Sequence, residues 1–263
     1  MSWEECEQRL RQIEADNSQS LSGVWFRGVP NAKWSLKTTL ERRSAQAFSV
    51  AEYHQLMLRV KPEVESFTKS TWDVPDWSEP ESNFAQHFRT MPGYGYMAHL
   101  RHHGFPSPLL DWSRSPYIAT YFAFAKAQAE EAQEVAIYVF SETPNNLKVG
   151  DNKTPKICSH GGRNLRTHGR HFRQQSSYTI CVKFCDLENR WRFVPHQSVF
   201  DLGQQDQDIL YKVTVPSTER TKVLKLLDRF NLNEFSLFNS EESLMETMAF
   251  REIDLKFLTT DDV

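Results

Sequence analysis

The chain has 263 residues, 39% of them apolar and 25% charged, so it is long and apolar enough to bury a sizeable core. Its net charge of −3 and pI near 6.3 exclude a global attraction to nucleic acid or anionic membranes. The sequence has no apolar run of the roughly 18 residues that span a membrane, no signal-peptide pattern at its start, and too few cysteines for a disulfide scaffold. We therefore expect a cytoplasmic protein without a membrane partner.

Capping patterns predict the first helices. Ser2 lies three residues before Glu5, and Ser49 lies three residues before Glu52, and each pair precedes apolar residues at helical spacing. Pro62 falls inside the second helix and predicts a kink there. The predicted elements of this half are a helix to about residue 16, a strand at 24–28, a helix from residue 50, an acidic loop at 71–82 and helix over much of 83–103.

The second half alternates helices and strands without a regular βαβ order. The predicted elements are a helix at 117–129, strands at 135–140, 178–184, 190–194 and 209–215, a helix from Ser217 and a short helix after Asn239. This order favours an α+β fold over a doubly wound parallel sheet. We expect one domain over 1–263, with an N-terminal helix at 1–20 and a helical C-terminal region at 217–263.

A basic segment interrupts this pattern between Glu142 and Tyr178. It carries seven Lys or Arg residues, and apolar periodicity is lacking. The sequence therefore predicts an inserted basic arm at 142–178 rather than core structure. Its part at 148–173 mixes glycine, arginine and histidine, a composition that suits phosphate backbones, so a nucleic-acid contact without catalysis is an alternative function.

The segment at 102–124, HHGFPSPLLDWSRSPYIATYFAF, concentrates chemically useful side chains. Two histidines, a carboxylate and three serines lie among prolines and a glycine and lead into an apolar helix. Because proline fixes the backbone, we expect a loop that holds these side chains in defined positions. Rigid polar loops beside buried helices are frequent functional sites.

Three separated pieces of the chain resemble the FRG-domain family. They are FRG at 26–28, HHGFPSPLLDWSRSPYIATYFA at 102–123 and RFVPHQSVF at 192–200, in the same order as in the family. The chain departs from the family pattern at several positions, among them Arg101 in place of glutamine and Pro108 in place of arginine. An arginine at 108 would offer a fork for phosphate or carboxylate, so its loss bears on substrate choice.

The order of these motifs is also similar to that in ADP-ribosyltransferases. Those folds use an Arg or His at the end of a first core strand, a Ser/Thr-x-Ser element before a helix, and a Glu or Gln on a later strand. Arg27, the segment 113–115 and the pair His196 and Gln197 follow that order. The resemblance implies an ADP-ribosyltransferase-like sheet core, NAD as substrate, and a macromolecular acceptor, either protein or nucleic acid. It also points to a toxin or phage-defence setting with an antitoxin or other partner protein.

The resemblance implies two sets of site residues. The catalytic set is Arg27, His102, Ser113 and Gln197. The set that binds the dinucleotide is Arg27, Asp111, Ser115, Tyr121 and His196. Cleavage of the nicotinamide bond passes through an oxocarbenium-like state, which needs groups that clamp the dinucleotide and stabilise positive charge.

Structural roles remain open for several of these residues. Arg27 and Asp111 are alternatively an internal ion pair, Ser115 is alternatively a helix cap, and Tyr121 is alternatively core. Gln197 presents an amide where many transferases have a glutamate, so it cannot act as a base. Glu246 or another carboxylate of the acidic C-terminal region is a candidate replacement.

No metal site is expected, although two sets of side chains are metal ligands by type. His99, His102 and His103 have helical spacing, but the following Gly104 argues against a continuous helix. The second set is Cys158, His160, Cys181 and Cys185, whose spacing is irregular.

Overall fold

The computed structural model describes residues 1–18, 20, 23–77, 91, 93–127, 131–142, 153–160, 169–203 and 208–257. Its strands are β1 (Val24–Val29), β2 (Leu110–Ser113), β3 (Glu134–Ser141), β4 (Lys156–His160), β5 (Ser176–Cys185), β6 (Arg190–Phe193) and β7 (Ile209–Pro216). No helix in these ranges is long and apolar enough to cross a membrane.

Helices flank the strands along the whole chain. They are α1 (Trp3–Asp16), α2 (Thr39–Arg43), α3 (Val50–Thr68), α4 (Tyr94–His102), α5 (Pro116–Ala125), α6 (Gly169–Arg173), α7 (Gln197–Phe200), α8 (Arg220–Arg229), α9 (Glu234–Phe238), α10 (Glu241–Ala249) and α11 (Leu255–Phe257). A 3₁₀ turn (Ser217–Glu219) precedes α8, and a π-helical turn (Phe250–Asp254) follows α10. The predicted capping boxes of α1 and α3 are both present, and α3 continues through Pro62.

The strands form one sheet in the order β4-β5-β2-β1-β3-β7, with β6 pairing to β5 as well. Every strand pair in the described ranges is antiparallel. β2 pairs with the first part of β5, and β6 pairs with its last part. Helices and an antiparallel sheet in one chain confirm the predicted α+β class.

The register of the strands places two apolar clusters on the same face of the sheet. Phe26 pairs with Ser113, and Asp111 pairs with Tyr178, and directly paired residues share a face. Phe26 belongs to a cluster that packs α1, α5 and α8 on β1, β3 and β7. Tyr178 belongs to a second cluster that packs α3 and α4 on β5 and β6. The short strand β2 therefore lies where the two clusters meet.

Gly28 allows α5 to lie directly on β1. A Cβ atom at this position would be 1.8 Å from the carbonyl oxygen of Ala119 and 2.5 Å from the backbone nitrogen of Ala123. Neither backbone atom can move without displacing the helix. The glycine of the FRG motif is thus explained by close packing between a strand and a helix.

The structure corrects several sequence-based expectations. The loop expected around residue 111 contains β2, and the arm expected at 142–178 contains β4, whose Ile157 and Cys158 are buried in core clusters. Basic residues on both sides of so short a strand hide its apolar pattern. The helix expected at 117–129 ends as α5 at Ala125. The remaining parts of the arm, 143–152 and 161–168, lie outside the described residues, as do 78–90 of the expected loop and helix.

Candidate functional site

A cleft of about 440 Å³ opens between β1, β2 and the helices around them. It lies on the face of the sheet that carries both apolar clusters. Its lining includes the predicted site residues Arg27, His102, Asp111 and Ser113. The polar and charged side chains that join them are Arg101, Lys126, Arg170, Gln174, Ser176 and Glu234.

Arg27 lies where β1 and β2 separate. The register between these strands contains one residue pair, Phe26 with Ser113. Beyond it the Nη1 atom of Arg27 donates a 2.7 Å hydrogen bond to the backbone carbonyl of Asp111, a group that continued strand pairing would have used. The Arg27 side chain therefore fills the gap between the diverging strands and fixes the floor of the cleft.

Asp111 organises two arginines. Its carboxylate accepts a hydrogen bond from Arg101 on α4 and lies 3.8 Å from Nη1 of Arg27. The ion pair between Arg27 and Asp111 that was considered from the sequence is thus present, and the structure adds Arg101 as the closer partner of the carboxylate. The carboxylate holds two guanidinium groups side by side, a geometry that would otherwise be opposed by repulsion between like charges.

Burial lowers the pKa of Arg27 to about 10, and the positive charges of Arg101 and Arg42 lower it too, against the opposing effect of Asp111. Because this value is well above 7, Arg27 remains cationic at neutral pH. Its buried Nε atom has no hydrogen-bond partner among the described residues. A cationic group that lines a cleft is suited to an anionic or carbonyl-rich ligand.

His102 lies at the C-terminal end of α4, and one of its ring nitrogens is already engaged. Its Nε2 forms a short hydrogen bond with the hydroxyl of Tyr178 on β5, and its backbone carbonyl accepts a 3.4 Å hydrogen bond from Arg170. Burial lowers the pKa of His102 to about 4, so the imidazole is neutral at physiological pH. Nδ1 is the nitrogen that remains for a ligand.

The two predicted serines have structural partners. The Ser113 hydroxyl donates a 2.8 Å hydrogen bond to the carbonyl of Gln174 and accepts one from the backbone nitrogen of Ser115. The Ser115 hydroxyl accepts from the backbone nitrogen of Ile118 and caps α5. Ser113 thus ties β2 to the segment before β5 at the edge of the cleft, and the cap alternative for Ser115 is the one observed.

Tyr121 lies on α5 and lines a second cavity of about 560 Å³ rather than the first. Its hydroxyl donates a 2.5 Å hydrogen bond to Glu234, the first residue of α9. Glu234 lines both cavities together with Lys126 and Arg170, so the two cavities are neighbours that share part of their lining. Glu246, the carboxylate considered from the sequence, lines the second cavity and not the first, whereas Glu234 lines both.

His196 and Gln197 lie outside the lining of the cleft. The expectation that they belong to a strand is wrong, because β6 ends at Phe193 and Gln197 begins α7. His196 is buried and shares the hydroxyl of Thr179 with the indole nitrogen of Trp112. The exposed Gln197 bonds Asp201 on its own helix. A carboxamide does line the cleft, but it belongs to Gln174 at the entry to β5.

Sequence reasoning missed six polar cleft residues, and distant segments bring three of them there: Arg170, Gln174 and Glu234. Arg170 on α6 stacks 4.9 Å from the ring centre of Phe238, and Gln174 donates to the carbonyl of Leu237. Arg170 lay in a segment predicted to be an insertion, and Glu234 lay in a region with several acidic residues. Only Arg101 carried a usable signal, as a departure from the family pattern inside the longest motif.

The described residues contain no group of three or more His, Cys, Asp or Glu side chains placed to hold a metal ion. The rings of His99 and His103 lie 4.4 Å apart, whereas His102 turns toward Tyr178. The three histidines considered for a metal site therefore do not converge: His99 lies beside His103, and His102 contacts Tyr178.

Neither curated proteins nor solved structures gave a match to this chain. The family model of the FRG domain matches residues 22–132. That segment contains β1 with its FRG motif, the long motif at 102–123 and the whole of α5. It ends before β3, so the third motif at 192–200 lies beyond it. The motifs at 26–28 and 102–123, and the cleft lining that they supply in Arg27, His102 and Asp111, thus lie within the segment that matches the FRG domain.

Proposed function

We propose that the cleft binds NAD and that the protein is an ADP-ribosyltransferase-like enzyme. The observation that carries this proposal is the convergence of two motifs on one cleft. Arg27 reaches it from the C-terminal half of β1, and Ser113 reaches it from the end of β2, directly before α5. This is the arrangement that the order of motifs implied for binding the dinucleotide.

The size and charge of the cleft support a dinucleotide. Its volume of about 440 Å³ falls within the ~300–1,000 Å³ usual for small-molecule sites. The cationic side chains among its described lining residues are Arg27, Arg101, Lys126 and Arg170. They outnumber the carboxylates of Asp111 and Glu234. Guanidinium groups bind phosphate through paired hydrogen bonds, so a pyrophosphate is the ligand group that this lining fits best.

Glu234 supplies the carboxylate that the enzyme needs. Breaking the bond between nicotinamide and ribose develops positive charge on the sugar, and a nearby carboxylate stabilises that charge. Tyr121 holds Glu234 by a hydrogen bond at the junction of the two cavities. In this proposal Arg27 and Arg101 hold the pyrophosphate, Asp111 orients them, and Glu234 faces the ribose. Gln197 has no part in it.

Transfer requires an acceptor, and the second cavity lies next to the first and shares part of its lining. The acceptor in this proposal is a protein or a nucleic acid that approaches from that side. An enzyme that consumes NAD in this way is suited to a role as a toxin or phage-defence effector held in check by a partner protein. The alternative, nucleic-acid binding through 148–173 without catalysis, rests in part on residues outside the described ranges, 148–152 and 161–168.

Incubation of the protein with NAD labelled on its adenylate and nicotinamide parts tests the proposal. We expect release of nicotinamide, with the ADP-ribosyl group transferred to water, protein or nucleic acid. Arg27→Ala should abolish the release, whereas Arg114→Ala, which removes an exposed arginine directly after β2, should leave it unchanged. Absence of both turnover and NAD binding in the wild-type protein would refute the enzyme. Nucleic-acid binding that weakens steeply with salt and ignores NAD would favour the alternative.

A further inference from the structure

A buried chain of three polar side chains leads from the cleft into the protein. The hydroxyl of Tyr178 lies between Nε2 of His102 and Nδ1 of His171, the latter at 3.1 Å. Tyr178 is fully buried, and His171 is 5% exposed. The ring of His171 stacks on that of Tyr178, with centres 5.7 Å apart and planes at 25°. Of the three, only His102 lines the cleft.

We propose that His102, Tyr178 and His171 form a proton relay that takes a proton from an acceptor hydroxyl or amine in the cleft and carries the charge to His171. The relay rests on the proposed transferase activity for its purpose, but its hydrogen-bond arrangement is a property of the protein alone. It makes His102 the base, and it makes Tyr178 and His171 positioning residues that act through His102.

The hydroxyl of Tyr178 has one proton and can donate it to one histidine at a time, so two arrangements use that proton between His102 and His171. In one, Tyr178 donates to His102, and Nδ1 of His102 carries a proton into the cleft. In the other, Nε2–H of His102 donates to Tyr178, and Tyr178 donates to Nδ1 of His171. Only the second leaves a bare Nδ1 in the cleft, able to accept a proton.

The charges around His102 favour the second arrangement. Arg101 lies on the same helix, Asp111 on β2, and Arg170 with His171 on α6, while His103 follows in the chain. A lone pair directed into a cleft lined by guanidinium groups is stabilised by their charge, whereas an N–H directed there is opposed. Arg170 also fixes the helix end by donating to the His102 carbonyl.

A relay also removes an unfavourable positive charge from His102. Burial, together with the charges of His171, Arg101 and His103, lowers the pKa of His102 to about 4 against the opposing charge of Asp111. A proton left on His102 would therefore be costly. Passing it through Tyr178 places the positive charge on His171, which lies behind Tyr178 and outside the lining of the cleft.

Every bond that breaks in the transfer is matched by one that forms. The acceptor's lone pair forms a bond to the ribosyl carbon while the bond from that carbon to nicotinamide breaks, and nicotinamide leaves as a neutral molecule. The acceptor's O–H or N–H bond breaks, and an Nδ1–H bond forms on His102. The Nε2 proton passes to Tyr178, and the original Tyr178 proton passes to Nδ1 of His171, which ends as an imidazolium.

Long-range ¹H–¹⁵N correlation spectra of the histidine rings in the ligand-free protein test the arrangement directly. His102→Gln assigns the resonances. We expect His102 in a single Nε2–H form from pH 8 to pH 5 in the wild type, and a mixture of both neutral forms in Tyr178→Phe. A wild-type His102 with its proton on Nδ1, or spectra that Tyr178→Phe does not change, would overturn the relay.

Steady-state kinetics distinguish the relay from a purely structural role of Tyr178 and His171. We expect Tyr178→Phe and His171→Gln to lower kcat for transfer at least about 10-fold, the low end of general-base contributions, with the KM for NAD unchanged. His103→Gln changes an exposed residue that is not part of the relay, and it should leave both values unchanged. An unchanged kcat in both relay variants would refute the relay while leaving the enzyme intact. Failure of the wild type to bind NAD would refute the enzyme, and the spectra would still decide the hydrogen-bond arrangement.

Discussion

The two walls of the cleft are built in different ways. One wall consists of β1, β2 and the ends of α4 and α5, and strand pairing and close helix packing place its residues. The other consists of α6, the entry to β5 and α9, short elements joined to the first wall by side chains. Its links are Arg170 with the His102 carbonyl, Ser113 with the Gln174 carbonyl and Tyr121 with Glu234. Backbone pairing and packing therefore position the first wall. Side-chain hydrogen bonds to the first wall position the second.

This difference explains which site residues the sequence could predict. Motif residues such as Arg27 and Asp111 lie on strands, so their positions follow from local pattern and from neighbouring strands. Arg170 contacts a residue 68 positions away in the chain and Glu234 one 113 positions away, and no local pattern encodes such contacts. The comparison predicts large effects for changes in the first wall and smaller ones for changes in the second.

Removing Arg27 should have the largest effect on ligand binding. Arg27→Ala deletes a cation from the cleft and leaves the Asp111 carbonyl without its donor. We expect NAD to bind about 100-fold more weakly or not measurably, in line with the cost of truncating a buried charged partner. Calorimetric titration with NAD measures the change. An NAD affinity equal to that of Arg114→Ala would show that Arg27 has no contact with the ligand.

Adding one methyl group at Gly28 should damage the first wall itself. Gly28→Ala places a Cβ against backbone atoms of α5 that cannot move aside. We expect a loss of about 3 kcal/mol or more in the free energy of unfolding, at the upper end for overpacked positions. Urea denaturation measures it. The matched control is Gly169→Ala on the second wall, where the nearest contact is the flexible end of Arg173 and the change should be small. Equal stability of both variants would contradict the close packing of β1 on α5.

Gln174 and Gln197 test which glutamine belongs to the site, the one that lines the cleft or the one that the sequence favoured. Gln174 lines the second wall, and Gln197, which the sequence favoured, is exposed on α7. We expect Gln174→Ala to weaken NAD binding several-fold, about 1 kcal/mol for one lost hydrogen bond, and Gln197→Ala to have no effect. The same titration compares the two. The opposite ranking would restore Gln197 as a site residue.

The buried histidines predict a modest dependence of stability on pH. The folded protein lowers the pKa of His102 to about 4 and that of His196 to about 3, both through burial. An unfolded chain with an ordinary histidine pKa near 6.5 binds more protons below that pH, so stability is fully present above about 6.5 and decreases as the pH falls toward 4. Denaturation at pH 7, 6, 5 and 4 should show this loss, and His102→Gln should reduce its slope. A slope that His102→Gln leaves unaltered would argue against a buried neutral His102.

Much of the fold followed from the sequence, and the reasons are physical. Continuous apolar runs predicted β3 and β5, and side-chain capping predicted α1 and α3. β2 was missed because four residues beside prolines are too few to show alternation, although its register positions Asp111. The likeness in motif order led to a strand at 196–197, but Pro195 ends the extended segment and a helical turn follows. Local pattern thus gave the elements, and tertiary contacts decided which polar residues met.

A crystal structure with a non-hydrolysable NAD analogue tests the central claim most directly. We predict the analogue in the cleft, with pyrophosphate oxygens within hydrogen-bond distance of the Arg27 or Arg101 guanidinium and a ribose facing Glu234. An analogue bound elsewhere on the protein, or an empty cleft at saturating concentration, would contradict the account.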